Sequence, residues 1–178
     1  MGALDKVVAA VTPEPSEEDR AEARAQARRL SGGSGWLAAV IDHHEQVEAA
    51  FAEVKAAGTA NARRDAQKKL ATLLTGHSIA EEAALYPAMA LHDQKGHSSA
   101  AYTEQSAAKV QTAALDDIAP MTQDYLDKLE HLRAAVIHHV YEEESEWFPK
   151  LRKTGDAAFQ AKLTKQYAEQ FTRYMGAE

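Results

Sequence analysis

Two stretches of the chain repeat one arrangement of ionisable and apolar residues. His77 is followed by Glu81, Glu82, the pair Leu85 and Tyr86, and then Pro87; His139 is followed at the same distances by Glu143, Glu144, the pair Trp147 and Phe148, and Pro149. On an α-helix, residues i and i+4 lie one turn apart on one face. Each copy therefore aims an imidazole and a carboxylate at one point. Burying such groups without a partner is costly, so the fold must let them neutralise one another or must supply a cation. A repeated His/Glu pair of this kind is a candidate metal cage.

Composition narrows the setting for that cage. At 178 residues the chain is one domain's worth, able to bury roughly 70% of its unfolded surface. With 27 acidic against 20 basic residues and a net charge of -7, it lacks the basic footprint that nonspecific nucleic-acid binding requires, so no nucleic-acid partner is expected. There is no cysteine, which excludes disulfides, thiolate ligands and a cysteine nucleophile. No apolar run approaches the ~20 residues of a membrane span, and Asp5 and Glu14 stand where a signal peptide would be apolar. The expected setting is soluble and cytoplasmic, without membrane attachment.

Alanine abounds, Gly and Pro cluster at a few points, and β-branched residues nowhere alternate for the length of a strand, so the chain reads as all-α. A short apolar stretch (Leu4, Val7, Val8, Val11) and a Pro13/Pro15 break precede a helix that Ser16 and Asp19 start. Long helices are then expected at about 36–57, 61–91, 98–118 and 122–151, with a tail helix at about 156–175. Short connections predict antiparallel neighbours, hence an up-down-up-down four-helix bundle with extra N- and C-terminal helices. The expected division is an N-terminal helical extension at 1–35, the bundle at 36–152 and a C-terminal helix at 153–178 that packs on it. Pro87 and Pro149 are expected to kink or end their helices just past the His/Glu pairs.

His77, Glu81, His139 and Glu143 all interrupt the apolar stripes of their helices. The first long helix adds Asp42, His43, His44 and Glu45, of which His44 shares the face of Val40, Val47 and Phe51, while His43 lies roughly 100° round. Glu48 follows His44 at the same spacing, a third pair. One pair alone is more often a solvated helix face. Three on inward stripes favour a metal over a buried ion-pair network, because such networks stabilise weakly.

At these residues the chain resembles the hemerythrin-like, or HHE cation-binding, family. The features that carry the resemblance are Asp42, His43 and His44, the His77 to Pro87 stretch and the His139 to Pro149 stretch. The resemblance implies a four-helix bundle holding two iron ions, or another divalent metal, bridged by carboxylates and able to react with dioxygen. Carried over by position, it nominates His44, His77, Glu81, His139 and Glu143 as ligands.

The third helix departs from the family pattern, with Gln105 where the family usually has a histidine. Read as lying nearer the inward stripe, Glu104 is the expected oxygen donor in its place, with Glu48 compensating from the first helix. The alternative is a degenerate site with one metal or none. Tyr86 or Tyr102 are further candidates to reach a metal, and Glu82 and Glu144 fit roles beside the ligands. His131 and His138 read as surface or interface residues. The expected function is a non-haem dimetal protein, monomer or homodimer, that binds or senses dioxygen, nitric oxide or peroxide, or buffers iron. A di-iron oxidase or peroxidase and a structural bundle with a polar core are the competing readings.

Overall fold

The computed structural model describes residues 14–176, so the expected apolar stretch at Leu4, Val7, Val8 and Val11 lies outside the described residues. All regular structure among the described residues is helical. Helix α1 spans Glu17–Ser31, α2 Gly35–Ala56, α3 Ala60–Leu91, α4 Lys95–Ala114 and α5 Gln123–Glu142. A π-helical turn at Glu143–Trp147 joins α5 to α6 (Phe148–Arg152), and α7 spans Ala157–Met175.

The boundaries follow from local chemistry. Ser16, Thr59, Thr122 and Asp156 each accept a hydrogen bond from a first-turn backbone N–H of α1, α3, α5 and α7, a cap that contributes about 1 kcal/mol. α1 and α2 are joined through Gly32, Gly33 and Gly35, at φ of 64°, 76° and 79°, left-handed values that other residues reach only with strain. Arg63 closes the turn between α2 and α3 by donating to the carbonyls of Val54, Lys55 and Ala57. It also reaches the carbonyl of Pro120, so one buried guanidinium satisfies helix-end acceptors and ties the turn to the segment before α5.

Helix α2 packs against α3, α3 against α4, α4 against α5, and α5 back against α2. α1 lies on α2 and the π-helical turn, while α7 lies along α3 and α2. The approach of α7 is close: a Cβ added at Gly76 would stand 2.9 Å from the Met175 sulfur. No helix among the described residues is long and apolar enough to cross a membrane.

Two apolar clusters fill the interior. One gathers Trp36, Val40, Ile41, Leu85, Tyr86, Trp147 and Phe148 with Leu163 and Tyr167 of α7. The other gathers Val47, Phe51, Leu70, Leu129, Leu132, Val136 and Val140. In sequence, His44 falls between Ile41 and Val47, His77 and Glu81 between Leu70 and Leu85, and Glu143 between Val140 and Trp147, with His139 beside Val140 at the border. The ionisable layer therefore divides the core in two.

One expectation changes here. The helix expected at 122–151 is interrupted by the π-helical turn at Glu143–Trp147, two residues before Pro149, which has no N–H to extend an α-helical ladder. Pro87 lies inside α3, which continues to Leu91, the end expected from the sequence.

Candidate metal centre

The site is assembled from three helices and the widened turn. α2 contributes His44, α3 contributes His77 and Glu81, α5 contributes His139, and the π-helical turn contributes Glu143. One donor atom from each of His44, His77, Glu81 and Glu143 lies within 4.8 Å of the others, and all four side chains are buried. His44 Nε2 is 3.2 Å from Glu143 Oε2 and 3.8 Å from Glu81 Oε1. His77 Nε2 is 3.2 Å from Glu81 Oε2, and His139 Nε2 is 3.3 Å from Glu143 Oε1. Each carboxylate thus turns one oxygen toward His44 and the other toward a second histidine.

All three imidazoles are held alike. His44 Nδ1 pairs with Glu144 at 2.8 Å, His139 Nδ1 with Glu104 at 2.7 Å and His77 Nδ1 with the Tyr167 hydroxyl at 3.2 Å. Each Nδ1 is tied outward, leaving each Nε2 turned inward, the arrangement that fixes the tautomer and orientation of metal-binding histidines. Glu144 is itself held by Arg24 of α1 at 3.0 Å, so the N-terminal helix reaches the cage through one guanidinium. The widened turn makes this possible, burying Glu143 and Glu144 although they are adjacent in sequence.

The two ends of the cage differ. His44 Nε2, Glu81 Oε1 and Glu143 Oε2 are buried without any hydrogen-bond partner among the described residues. Orphaned donors and acceptors of this kind are costly in a core, and a cation placed among these three atoms would satisfy all of them. At the other end the Tyr86 hydroxyl fills the space. It donates to Glu143 Oε1 at 2.8 Å and lies 3.2 Å from Glu81 Oε2 and 3.1 Å from His139 Nε2. Gln105 Nε2 donates to the Tyr86 oxygen and to Glu81 Oε2, both at 2.5 Å.

The electrostatics match a cage built for positive charge. Burial pushes the Glu81 carboxyl up to about 7, and the neighbouring Glu143 charge adds to this against the pull of His44 and His139. Burial acts the same way on Glu143, but His139 and His44 outweigh it and hold Glu143 well below the carboxylate range. Burial opposes charge on His139, yet Glu143 and Glu104 prevail and raise it to about 10. His44 is likewise raised against burial by Glu143, Glu144 and Glu81. His77 is driven well below its usual value by burial and by His44. The carboxylates of the metal-free cage are thus balanced by protons on imidazoles that a metal would displace.

Several expected positions are altered. Glu48 does not join the cluster; its carboxylate accepts from Arg24 at 2.6 Å. On α4, Gln105 is 4% exposed and faces the cage, whereas the Glu104 side chain is 34% exposed and grips the outer nitrogen of His139. Ala101 and Ala108 stand seven residues apart, and the stripe between them can pass through Glu104 at spacings of three and four or through Gln105 at four and three; the structure takes the second path. His43 sits outside the cage, bonded to the Tyr167 hydroxyl at 2.7 Å and stacked on Phe171 at 3.8 Å. Arg24 and Tyr167 come from the flanking helices, which carry no repeat, and no motif or spacing marks them in the chain.

Similarity to known proteins agrees with this geometry. A curated DNA nickase from Nostoc sp. (strain PCC 7120 / SAG 25.82 / UTEX 2576) is 27% identical over 128 residues, 72% of this chain and 35% of that protein. The chain thus spans about a third of that relative's length. No solved structure matches. The profile of the hemerythrin HHE cation binding domain matches residues 37–151, a span that contains all three histidines and both carboxylates of the cage, and the chain belongs to that family.

Proposed function

We propose that the chain is a non-haem dimetal protein, with iron as the metal, that binds or senses dioxygen, nitric oxide or peroxide, or stores iron. The observation that carries this reading is the trio of buried atoms without hydrogen-bond partners, His44 Nε2, Glu81 Oε1 and Glu143 Oε2, because one metal ion placed among them would satisfy two carboxylate oxygens and an imidazole nitrogen at once. His44 and His77 would hold one ion and His139 the other, with Glu81 and Glu143 shared between them. At the second position Tyr86, supported by Gln105, replaces the expected histidine as the fourth group. Such a carboxylate-rich set with imidazoles suits iron or manganese. The surrounding helices then stand as an antiparallel up-down-up-down bundle, its ring of neighbours closed by α5 against α2.

Iron in this cage would supply redox chemistry toward small diatomic or peroxide ligands. The protein's own part is to orient three imidazoles through Glu144, Glu104 and Tyr167, to hold two carboxylates in a dry core, and to carry protons on His44 and His139 until metal arrives. The test is anaerobic loading with ferrous iron, followed by visible spectra on exposure to air, nitric oxide and peroxide. A reversible spectral change supports binding or sensing, and rapid loss of added peroxide supports the oxidase or peroxidase reading. No spectrum at any iron ratio would reduce the cage to a structural ion-pair network.

A further inference from the structure

A cavity of about 310 Å³ adjoins the cage and runs between α2, α3, α4 and α5. At its inner end stand His44, His77 and His139, the three cage histidines; farther along α5 it is lined by Ala135 and His131. The eight residues from His139 to His131 rise about 12 Å along a helix. The volume is about twice that of an engineered cavity of roughly 150 Å³ that accepts benzene.

The wall explains why the space exists. Where α4 faces α5, the cavity is lined by Ala107, Ala108, Ala134 and Ala135, side chains too short to meet across the gap. Val47, Leu74, Val136 and Val140 complete a mostly apolar surface. The cavity reaches solvent past Glu14 and Thr103, which are exposed, so a molecule can enter from outside and lie against the cage.

Polar atoms in that wall point to what the occupant carries. Besides His44 Nε2 of the cage, Gln105 Oε1 at the cage end, Gln111 Oε1 nearly two turns farther along α4 and His138 Nδ1 on α5 are buried and without a hydrogen-bond partner among the described residues. All three residues line the cavity, and the two glutamines are more than nine-tenths buried. The amide oxygens accept a hydrogen bond and the imidazole nitrogen can accept or donate one. A hydroxyl, which does both, fits them, while Glu14 and Glu104 in the same wall disfavour an anion.

We propose that this cavity is a binding site for a neutral, largely apolar organic molecule bearing a hydroxyl, of the size of a medium-chain alkyl alcohol. The molecule lies along the alanine wall, donates to a glutamine carbonyl and reaches the cage histidines. Binding follows from the cavity alone. Its consequence, an organic molecule held against a metal centre, rests on the function proposed above and would make the centre one that acts on or responds to organic compounds as well as diatomic gases.

The test is calorimetric titration with 1-octanol, on metal-free and on iron-loaded protein. One molecule per chain is expected in both forms. Ala108→Phe fills the cavity from α4, and Ala135→Leu fills it more gently from α5 should the larger residue disturb folding. Excluding part of the alkyl chain from burial should weaken binding at least about tenfold in either variant. Circular dichroism and metal content, which these alanines do not control, should stay as in the parent. Octanal, with the same chain and no donor, should bind about fivefold more weakly than 1-octanol, and Gln111→Leu should narrow that difference. Absence of 1-octanol binding to the parent protein, or equal binding by the filled variants, would overturn the proposal while leaving the metal reading to its own test. Equal affinity for 1-octanol and octanal would overturn the assignment of the hydroxyl.

Discussion

The two ends of the cage are made from the same repeat and are not equivalent. At one end, His44 and His77 face Glu81 and Glu143, and three ligand atoms are left without a hydrogen bond among the described residues. At the other, His139 faces Glu143, and the Tyr86 hydroxyl and the Gln105 amide already bond to His139 Nε2, Glu143 Oε1 and Glu81 Oε2. The first end has an unmet need for a cation. The second has its ligand atoms already bonded, and a metal there must compete with the Tyr86 proton. A duplicated His/Glu pair therefore sets where ions can go, while the residues supplied by the remaining helix and the flanks set how strongly each place attracts one.

That contrast can be broken most severely at the carboxylates both ends share. Glu143→Gln should empty both positions, leaving much less than one metal per chain by elemental analysis, because Glu143 faces His44 with one oxygen and His139 with the other. The charges left on buried His44 and His139 should also lower the stability of the metal-free protein by roughly 3–5 kcal/mol, as when one partner of a buried ion pair is removed. Loss of only one ion would mean that the carboxylate serves one end alone.

A sharper cut separates the ends. His77→Ala should abolish the His44 position and leave the His139 position partly filled. Tyr86→Phe should do the reverse, losing the ion beside His139 and any absorption due to a phenolate bound to iron. Should Tyr86→Phe gain metal, the hydroxyl blocks the second position and does not serve it. Glu104→Ala acts only through the outer nitrogen of His139, so it should lower affinity at that position without removing its inner donor.

The supports beyond the cage should give smaller effects. Tyr167→Phe removes the hydroxyl that holds His77, and metal affinity at the His44 end should fall about tenfold, the lower range for such supporting groups; competition with a chelator measures it. His43→Ala, one residue from His44 but only bonded to Tyr167, should leave metal content intact. Metal affinity should also fall as pH falls. Protons and metal compete for the same imidazoles and carboxylates, and the burial-raised Glu81, near 7, starts to take up its proton in the neutral range. Competition titrations between about pH 6 and 8 should show a continuous loss toward the acid side, and a flat profile would contradict the assignment of Glu81 as a donor.

The helices and the inward turn of His44, His77 and His139 were legible in the chain because periodicity and spacing encode them locally. The division of the core by an ionisable layer was legible for the same reason, since each pair interrupts an apolar stripe. The choice between Glu104 and Gln105 was not settled by a stripe that admits either within one residue of phase. Glu48 was misplaced because its spacing from His44 is right while its partner, Arg24, lies on a helix whose docking no local pattern reports. The burial of both Glu143 and Glu144 depends on a widened turn, and the centrality of Tyr86 on the meeting of α3, α4 and α5. Both are tertiary events that a spacing argument cannot contain.

The central claim is that the buried His/Glu cage exists to hold metal. The most direct test is the melting temperature of the protein, expressed without a histidine tag, before and after chelation, with metal per chain measured on the same samples. Metal that binds only the native state must stabilise it by mass action. The account predicts about two metals per chain before chelation and a clearly lower melting temperature after their removal. An unchanged melting temperature when the metal is demonstrably gone, or a chain that never retains metal, would contradict it.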